Sequence, residues 1–342
     1  MIKVFDFFSG CGGTSSGFSQ AGMDIAMGLD IDPDSSESFR ANFPKAKFLL
    51  GDIRDMDVEI LRPIIGKKRK TPLLFCGCAP CQPFSTQNRN QNTKDPRRDL
   101  LSEFSRFVAY WLPEYVFIEN VPGIQKVKGK SGPFHKFNRL LKDLGYSYAS
   151  DVIPAMSFGV PQTRKRLVLL ARRGGDITLP EASHGPEKKP YTTVRDAIGH
   201  LPRLPAGCTD PSDPHHQAAE LSELNLRRIA HTPEGGGREA WPEELRLDCH
   251  QSHTGHSDVY GRLAWDKMAS GLTTRCISYS NGRFGHPEQD RALSVREAAL
   301  IQTFPINYQL SGNLASRARQ VGNAVPPAMA LAVGRHLMQL SE

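Results

Sequence analysis

Two side chains in this chain of 342 residues stand where an apolar run gives way to polar residues, and their types suit nucleophilic and acid chemistry. Cys81 lies in the string CAPCQPFS, just past LLFCG, and the stretch after it, TQNRNQNTKDPRRD, has almost no aliphatic residue and reads as a surface loop. A cysteine at a strand tip under such a loop is a candidate nucleophile. Glu119 ends the apolar run YVFI, where partial desolvation suits a carboxyl group to proton donation. Gln162, Arg164 and Arg166 alternate into RLVLL, so a strand there would turn all three to one face, with a structural ion pair as the plainer use of any one of them.

A second constellation surrounds the segment from Asp6 to Gly13, FDFFSGCGG after its first residue, which follows one apolar run and precedes a helical pattern. Glycines there let the backbone pass close to a bound nucleoside, although a tight turn alone would also use them. Asp30 and Asp52 follow the next apolar segments, where carboxylates can accept hydrogen bonds from ribose hydroxyls and an adenine amino group. Helix capping is the alternative for both. Phosphates would suit such acidic tips poorly.

The elements that must position these groups are legible as apolar runs. Lys3 to Phe8, Ile25 to Leu29, Leu73 to Gly77, Tyr115 to Ile118 and Leu167 to Ala171 read as buried strands of a parallel sheet. Leu100, Leu101, Phe104, Phe107, Val108, Trp111 and Leu112 recur at a helical period, as do Phe134, Phe137, Leu140, Leu141 and Leu144 before Gly145. Ser294 and Glu297 form a capping box, and Pro326 and Pro327 open a last helix. From about 172 to 290 the texture turns irregular and Pro-, Gly- and His-rich, with nine of the eleven histidines. Helical patterning returns after it, which predicts a discontinuous first domain at 1–173 and 290–342 around a second at 174–289.

Composition narrows the classes. There are 43 basic and 36 acidic residues, a net +7, and the run Lys67, Lys68, Arg69, Lys70 fits either a polyanionic partner or a solvated loop. No run of ~18 uncharged apolar residues occurs, and the opening MIKVFDFFSG is unlike a signal peptide, so a cytoplasmic protein with no membrane span is expected. Seven cysteines, three of them at 76, 78 and 81, argue against a disulfide scaffold. The cysteine cluster has the CxC and CxxC spacing of half a zinc site but no matching second pair nearby, Cys249, His250, His253 and His256 are not in a standard zinc pattern, and no metal is expected.

The ordered set FDFFSGCGG, GDI, APCQPFS, FIENV, QTRKR, REAALIQTFP and QVGNAVPP resembles the cytosine-5 DNA methyltransferases over most of the chain. The resemblance implies a Rossmann-like, doubly wound α/β methyltransferase sheet with a smaller, irregular target-recognition domain. It implies S-adenosylmethionine as cofactor, held by Phe8, Gly10, Gly12, Gly13, Asp30, Ile31, Asp52, Ile53, Asn323 and Val325. Phe8 would pack on adenine, Asp30 would hold the ribose and Asp52 the adenine amino group. Cys81 would be the nucleophile, Glu119 the acid at the cytosine ring, and Arg166, helped by Arg164, the contact to the cytosine carbonyl. The family commonly has an aspartate early in the strand before PCQ; Thr71 to Phe75 contains no acid.

The expected substrate is a cytosine flipped out of a specific double-stranded DNA sequence. Arg89, Lys94, Arg97 and Arg98, with the strips 62–70 and 126–130, would attract phosphates. The resemblance implies a role as the modification arm of a restriction-modification or phage-defence system, beside a cognate restriction endonuclease; a monomer is the favoured state, which the resemblance itself does not determine. A tRNA cytosine-5 methyltransferase and a catalytically silent DNA-binding protein are the alternatives. An oxidoreductase is disfavoured because the glycine turn lacks GxGxxG spacing.

Overall fold

The structure, a computed structural model, describes residues 1–79, 100–123, 132–247 and 258–341. The chain forms two compact units: the first holds Met1–Phe158, Lys165–Ala182 and Val325–Glu342, the second Gly159–Arg164 and Ser183–Ala324. The chain thus rejoins the first unit at Val325 rather than near 290, because the helices Val295–Ile301 and Leu314–Asn323 pack within the second unit.

The first unit is a seven-stranded sheet built from β1 (Lys3–Phe7), β2 (Asp24–Asp30), β3 (Lys47–Leu50), β4 (Leu73–Gly77), β5 (Tyr115–Asn120), β6 (Tyr146–Pro154) and β7 (Lys165–Arg173), in the order β3-β2-β1-β4-β5-β7-β6. β4 and β5 are buried along their whole length, which is why they read as unbroken apolar runs. Phe5 and Phe7 of β1 and Phe75 of β4 face the helices Leu100–Trp111 and Pro133–Asp143. Phe7 packs on Phe75, Phe104 and Phe107 at 5.2, 5.1 and 5.1 Å. The alternate residues face the other layer, where Phe18 of the helix Gly13–Gln20 meets Phe117 edge-on at 5.6 Å. The last helix, Pro327–Leu340, covers the same side by packing on Gly13–Gln20. Helices on both faces make the sheet doubly wound.

Two features depart from the all-parallel sheet expected. β7 runs antiparallel to both β5 and β6, with Glu119 opposite Val168 and Ile153 opposite Arg166. β3 and β6 are additional edge strands; their mixed, partly exposed residues lack the apolar run that marks a central strand.

The second unit has little regular structure. A short hairpin, Thr209–Asp210 with Asp213–Gln217, joins short helices at Val194–Ile198, Glu223–Ala230, Val295–Ile301 and Leu314–Asn323. Buried arginines replace the missing ladders. The Arg291 guanidinium grips both oxygens of Glu297 at 2.7 Å, and Arg262 donates to the carbonyls of Ile229, Thr232, His286 and Gln289. Ser294 and Glu297 complete the expected capping box. Cys249, His250, His253 and His256 lie outside the described residues.

Candidate active site

Strand direction assembles this site. β1, β2, β4 and β5 are parallel, so the residues that follow them share one edge of the sheet. Antiparallel β7 begins at that edge, which brings Arg166 beside Glu119; a parallel β7 would place it at the far edge. Arg166 Nε lies 2.8 Å from Glu119 Oε1, with only 10% of the Glu119 side chain and 17% of the Arg166 side chain exposed. The planar guanidinium and the buried carboxylate form a paired acid and cation at the tip of the sheet.

β4 ends next to this pair. Burial, with the nearby Glu119 and Asp6 carboxylates, pushes the Cys78 thiol well above its ordinary range, and burial does the same to Cys76. Thr14 Oγ1 lies 3.8 Å from Cys78 Sγ. Neither thiol is placed to form a thiolate near neutrality, and Cys11 is likewise pushed up to about 12 by burial. Cys81 follows Cys78 by three residues and lies outside the described residues, as do Arg89, Lys94, Arg97, Arg98 and 126–130.

The turn after β1 is strained and tied to β2. Phe8 has φ +60°, uncommon for a bulky residue, and Gly10 and Gly12 follow at +51° and +96°, conformations glycine adopts without steric cost. The Gly10 amide donates to Asp30 Oδ2 at 2.8 Å, and the Asp32 amide to Oδ1 at 3.0 Å. Asp30 is therefore not a helix cap; Asp32 is, accepting from the Ser35 amide. Burial raises the Asp30 carboxyl above its usual range against these two amides. Beside it Ile31 is 64% exposed, an apolar surface at the strand tip.

Asp52 does cap, accepting from the Arg54 amide at 2.9 Å, and it is paired with the Arg54 guanidinium, which lowers its carboxyl. Ile53 is buried in the core, and its carbonyl accepts from Arg106 Nη2 at 3.1 Å. Asp6, inside β1 and fully buried, is a group that sequence reasoning left without a role. Its Oδ2 accepts from Ser15 Oγ at 2.7 Å, pinning the helix after the glycine turn, and burial raises its carboxyl to about 7. The signal was present: a carboxylate within the otherwise apolar KVFDF.

Gln162 and Arg164 do not lie on β7, which starts at Lys165; both are buried in the second unit, where Arg164 Nη1 donates to the carbonyls of Gly322 (3.2 Å) and Leu272 (3.4 Å). Arg164 thus has a structural use within that unit, and the shared face expected for all three residues is not formed. Asn323 is exposed at the end of its helix and Val325 is buried. The basic strip 62–70 precedes β4, and so lies at the sheet edge opposite Glu119. There Arg69 is spent on Glu114 and on the carbonyls closing the Leu100–Trp111 helix.

The C-5 cytosine-specific DNA methylase profile matches residues 2–339. The chain belongs to that family. It is 39% identical to the type II methylase M.HgiDII of Herpetosiphon aurantiacus, covering 99% of this chain and 96% of that one. It is 36% identical to the type II methyltransferase M1.HphI of Haemophilus parahaemolyticus, covering 99% and 87%. A solved protein encoded within an E. coli prophage shares the fold at a TM-score of 0.78, with 21% identity and full coverage of both chains. A DNMT2 of Spodoptera frugiperda aligns at 0.66 over 99% of each chain with 18% identity. The protein is a DNA cytosine-5 methyltransferase with a Rossmann-like methyltransferase fold. Among its described residues no helix is long and apolar enough to cross a membrane.

Proposed function

We propose that this methyltransferase modifies carbon 5 of a cytosine flipped from a specific duplex DNA sequence, with Cys81 as nucleophile and S-adenosylmethionine as methyl donor. The observation that carries the reading is the Glu119–Arg166 pair at the sheet edge where β4 ends. Carbon 5 of cytosine is too electron-poor to attack a methyl sulfonium directly. Sulfur addition at carbon 6 makes it an enamine, and the electron density arrives on nitrogen 3 and the adjacent carbonyl. Glu119 supplies a proton at nitrogen 3, and Arg166 donates to the carbonyl oxygen, stabilising charge as it develops. The Cys76 and Cys78 thiols are held protonated by burial, which leaves Cys81 as the thiolate of the cluster.

The residues at the tips of β1, β2 and β3 fit an adenosine. Asp30 retains acceptor positions beyond its two amides, Ile31 offers an exposed apolar surface, and the cation at the β3 tip, Arg54, is held by Asp52 rather than open to a phosphate. When bound, S-adenosylmethionine supplies an electrophilic methyl group. Phe8, Gly10, Gly12, Gly13, Asp30, Ile31, Asp52 and the Ile53 main chain, with Asn323 and Val325, would hold it. The irregular second unit suits reading of base edges, and the likeness to two type II enzymes supports a place in a restriction-modification system.

Duplex DNA carrying 5-fluorocytosine at the target tests the nucleophile, because fluorine cannot leave as a proton does. With S-adenosylmethionine present the wild type is expected to stall as a covalent adduct and Cys81→Ser to give none, while Cys76→Ser and Cys78→Ser still do. An adduct that persists in Cys81→Ser, or methyl incorporation into tRNA in preference to duplex DNA, overturns the reading. Glu119→Gln should slow turnover by roughly 10²–10⁴ with cofactor binding kept.

A further inference from the structure

The second unit contains a chain of buried amides whose ends lie at two points where the backbone crosses between units. Gln162, fully buried, accepts from the Leu272 amide at 3.0 Å and donates from Nε2 to Ile301 O at 2.9 Å and to Gln302 Oε1 at 2.7 Å. With its oxygen so engaged, the fully buried Gln302 turns its own amide to the Ala324 carbonyl at 2.5 Å. Arg164 closes the same circuit through the carbonyls of Leu272 and Gly322. The helix ending at Asn323 sits so close that a Cβ on Gly322 would fall 2.1 Å from Thr273 O. Residue 164 leads directly into β7 and Arg166, and residue 324 leads directly into Val325.

An amide must be turned one way to accept from one neighbour and donate to another, so Gln162 dictates which way Gln302 faces. A carbonyl and an amide edge arranged in series therefore pass orientation from the QTR segment to the main chain at Ala324. We propose that Gln162 and Gln302 form a positioning relay that holds the Asn323–Ala324–Val325 segment for cofactor binding and ties it to the start of the strand that presents Arg166. The inference rests on the assignment of Asn323 and Val325 to the cofactor site. Neither glutamine touches the reacting atoms in this scheme; both act through the main chain at Ala324.

The test uses the full-length protein and the variants Gln302→Met and Gln162→Met, which keep side-chain length and remove the donors. Hydrogen–deuterium exchange of the peptide spanning 320–327 is read without cofactor, and S-adenosylhomocysteine and duplex DNA affinities are read by calorimetry. Both variants should speed exchange at Ala324 and Val325 by roughly three- to tenfold and weaken S-adenosylhomocysteine by a similar factor, while DNA affinity stays within about twofold. The double variant should be no worse than Gln302→Met alone, as a relay in series requires. Thr232→Val, which removes a buried hydroxyl bonded to Trp241 and Tyr279, serves as a destabilised control and should leave exchange at 320–327 unchanged. Unchanged exchange in Gln162→Met, additive effects in the double variant, or equal acceleration in the control overturns the relay. If the wild type fails to bind S-adenosylhomocysteine while exchange responds as expected, the cofactor assignment falls and the amide relay stands as a device of the fold.

Discussion

The two units reach stability by different physics. In the first, a sheet with its central strands buried on both faces closes its own backbone hydrogen bonds and leaves the interior to phenylalanines, packed around Phe7 at just over 5 Å. In the second, where two strands of a small hairpin make up the described sheet structure, main-chain carbonyls from distant loops converge on Arg262 and Arg291. An apolar core tolerates loss in proportion to the surface removed, whereas a buried ion is either matched or costly. A sheet keeps the Glu119–Arg166 pair in register; guanidinium hubs hold irregular loops through their carbonyls without a ladder.

The largest effect that would break this contrast is at Arg291 and Glu297. Burial alone would raise the Glu297 carboxyl, but the paired Arg291 N–H groups hold it below its ordinary value. Glu297→Gln leaves the guanidinium half-matched and should cost about 3–5 kcal/mol in urea unfolding. The double change Arg291→Met with Glu297→Leu should recover much of that loss, because no buried charge remains. Phe104→Ala in the first unit should cost a similar ~3–5 kcal/mol, but a second truncation at Phe7 should deepen the loss rather than relieve it. Recovery in both units, or in neither, would erase the distinction.

Proton binding sharpens the same contrast with opposite signs. Asp6 in the first unit has its carboxyl raised to about 7, so the folded state holds the proton more tightly than the unfolded chain. Its contribution is greatest below about pH 4 and is lost as pH rises to about 7. His286 in the second unit is lowered to about 4, first by burial, and accepts from the Glu288 and Gln289 amides as a neutral ring. Its contribution is present above about pH 6.5 and is lost as pH falls toward 4. Exchange protection around β1 should therefore weaken from pH 5 to 7, and that around 286–297 should strengthen. Asp6→Asn and His286→Gln should each flatten the slope of their own unit alone. The smallest effect is Ser294→Ala, which removes one half of a capping box and should cost ~1 kcal/mol by thermal melting.

What the amino-acid order determined by itself was local. Five of the seven strands, both long amphipathic helices, the capping box at Ser294 and the proline-led last helix follow from periods and end signals that act over a few residues. Candidate site residues were legible for the same reason, since Asp30 and Glu119 stand where apolar runs end. Only the tertiary structure decided how those ends meet. The direction of β7, on which the Glu119–Arg166 pair depends, is set by where the preceding β6 returns, and a run such as RLVLL has no polarity to announce it. Arg69 and Arg164 bond distant carbonyls, and Arg69 a distant carboxylate, that no local pattern announces. Gln162 and Gln302 are bonded across 140 residues. Such partners are chosen by burial, because a polar group removed from water must bond whichever complementary group the fold brings within reach.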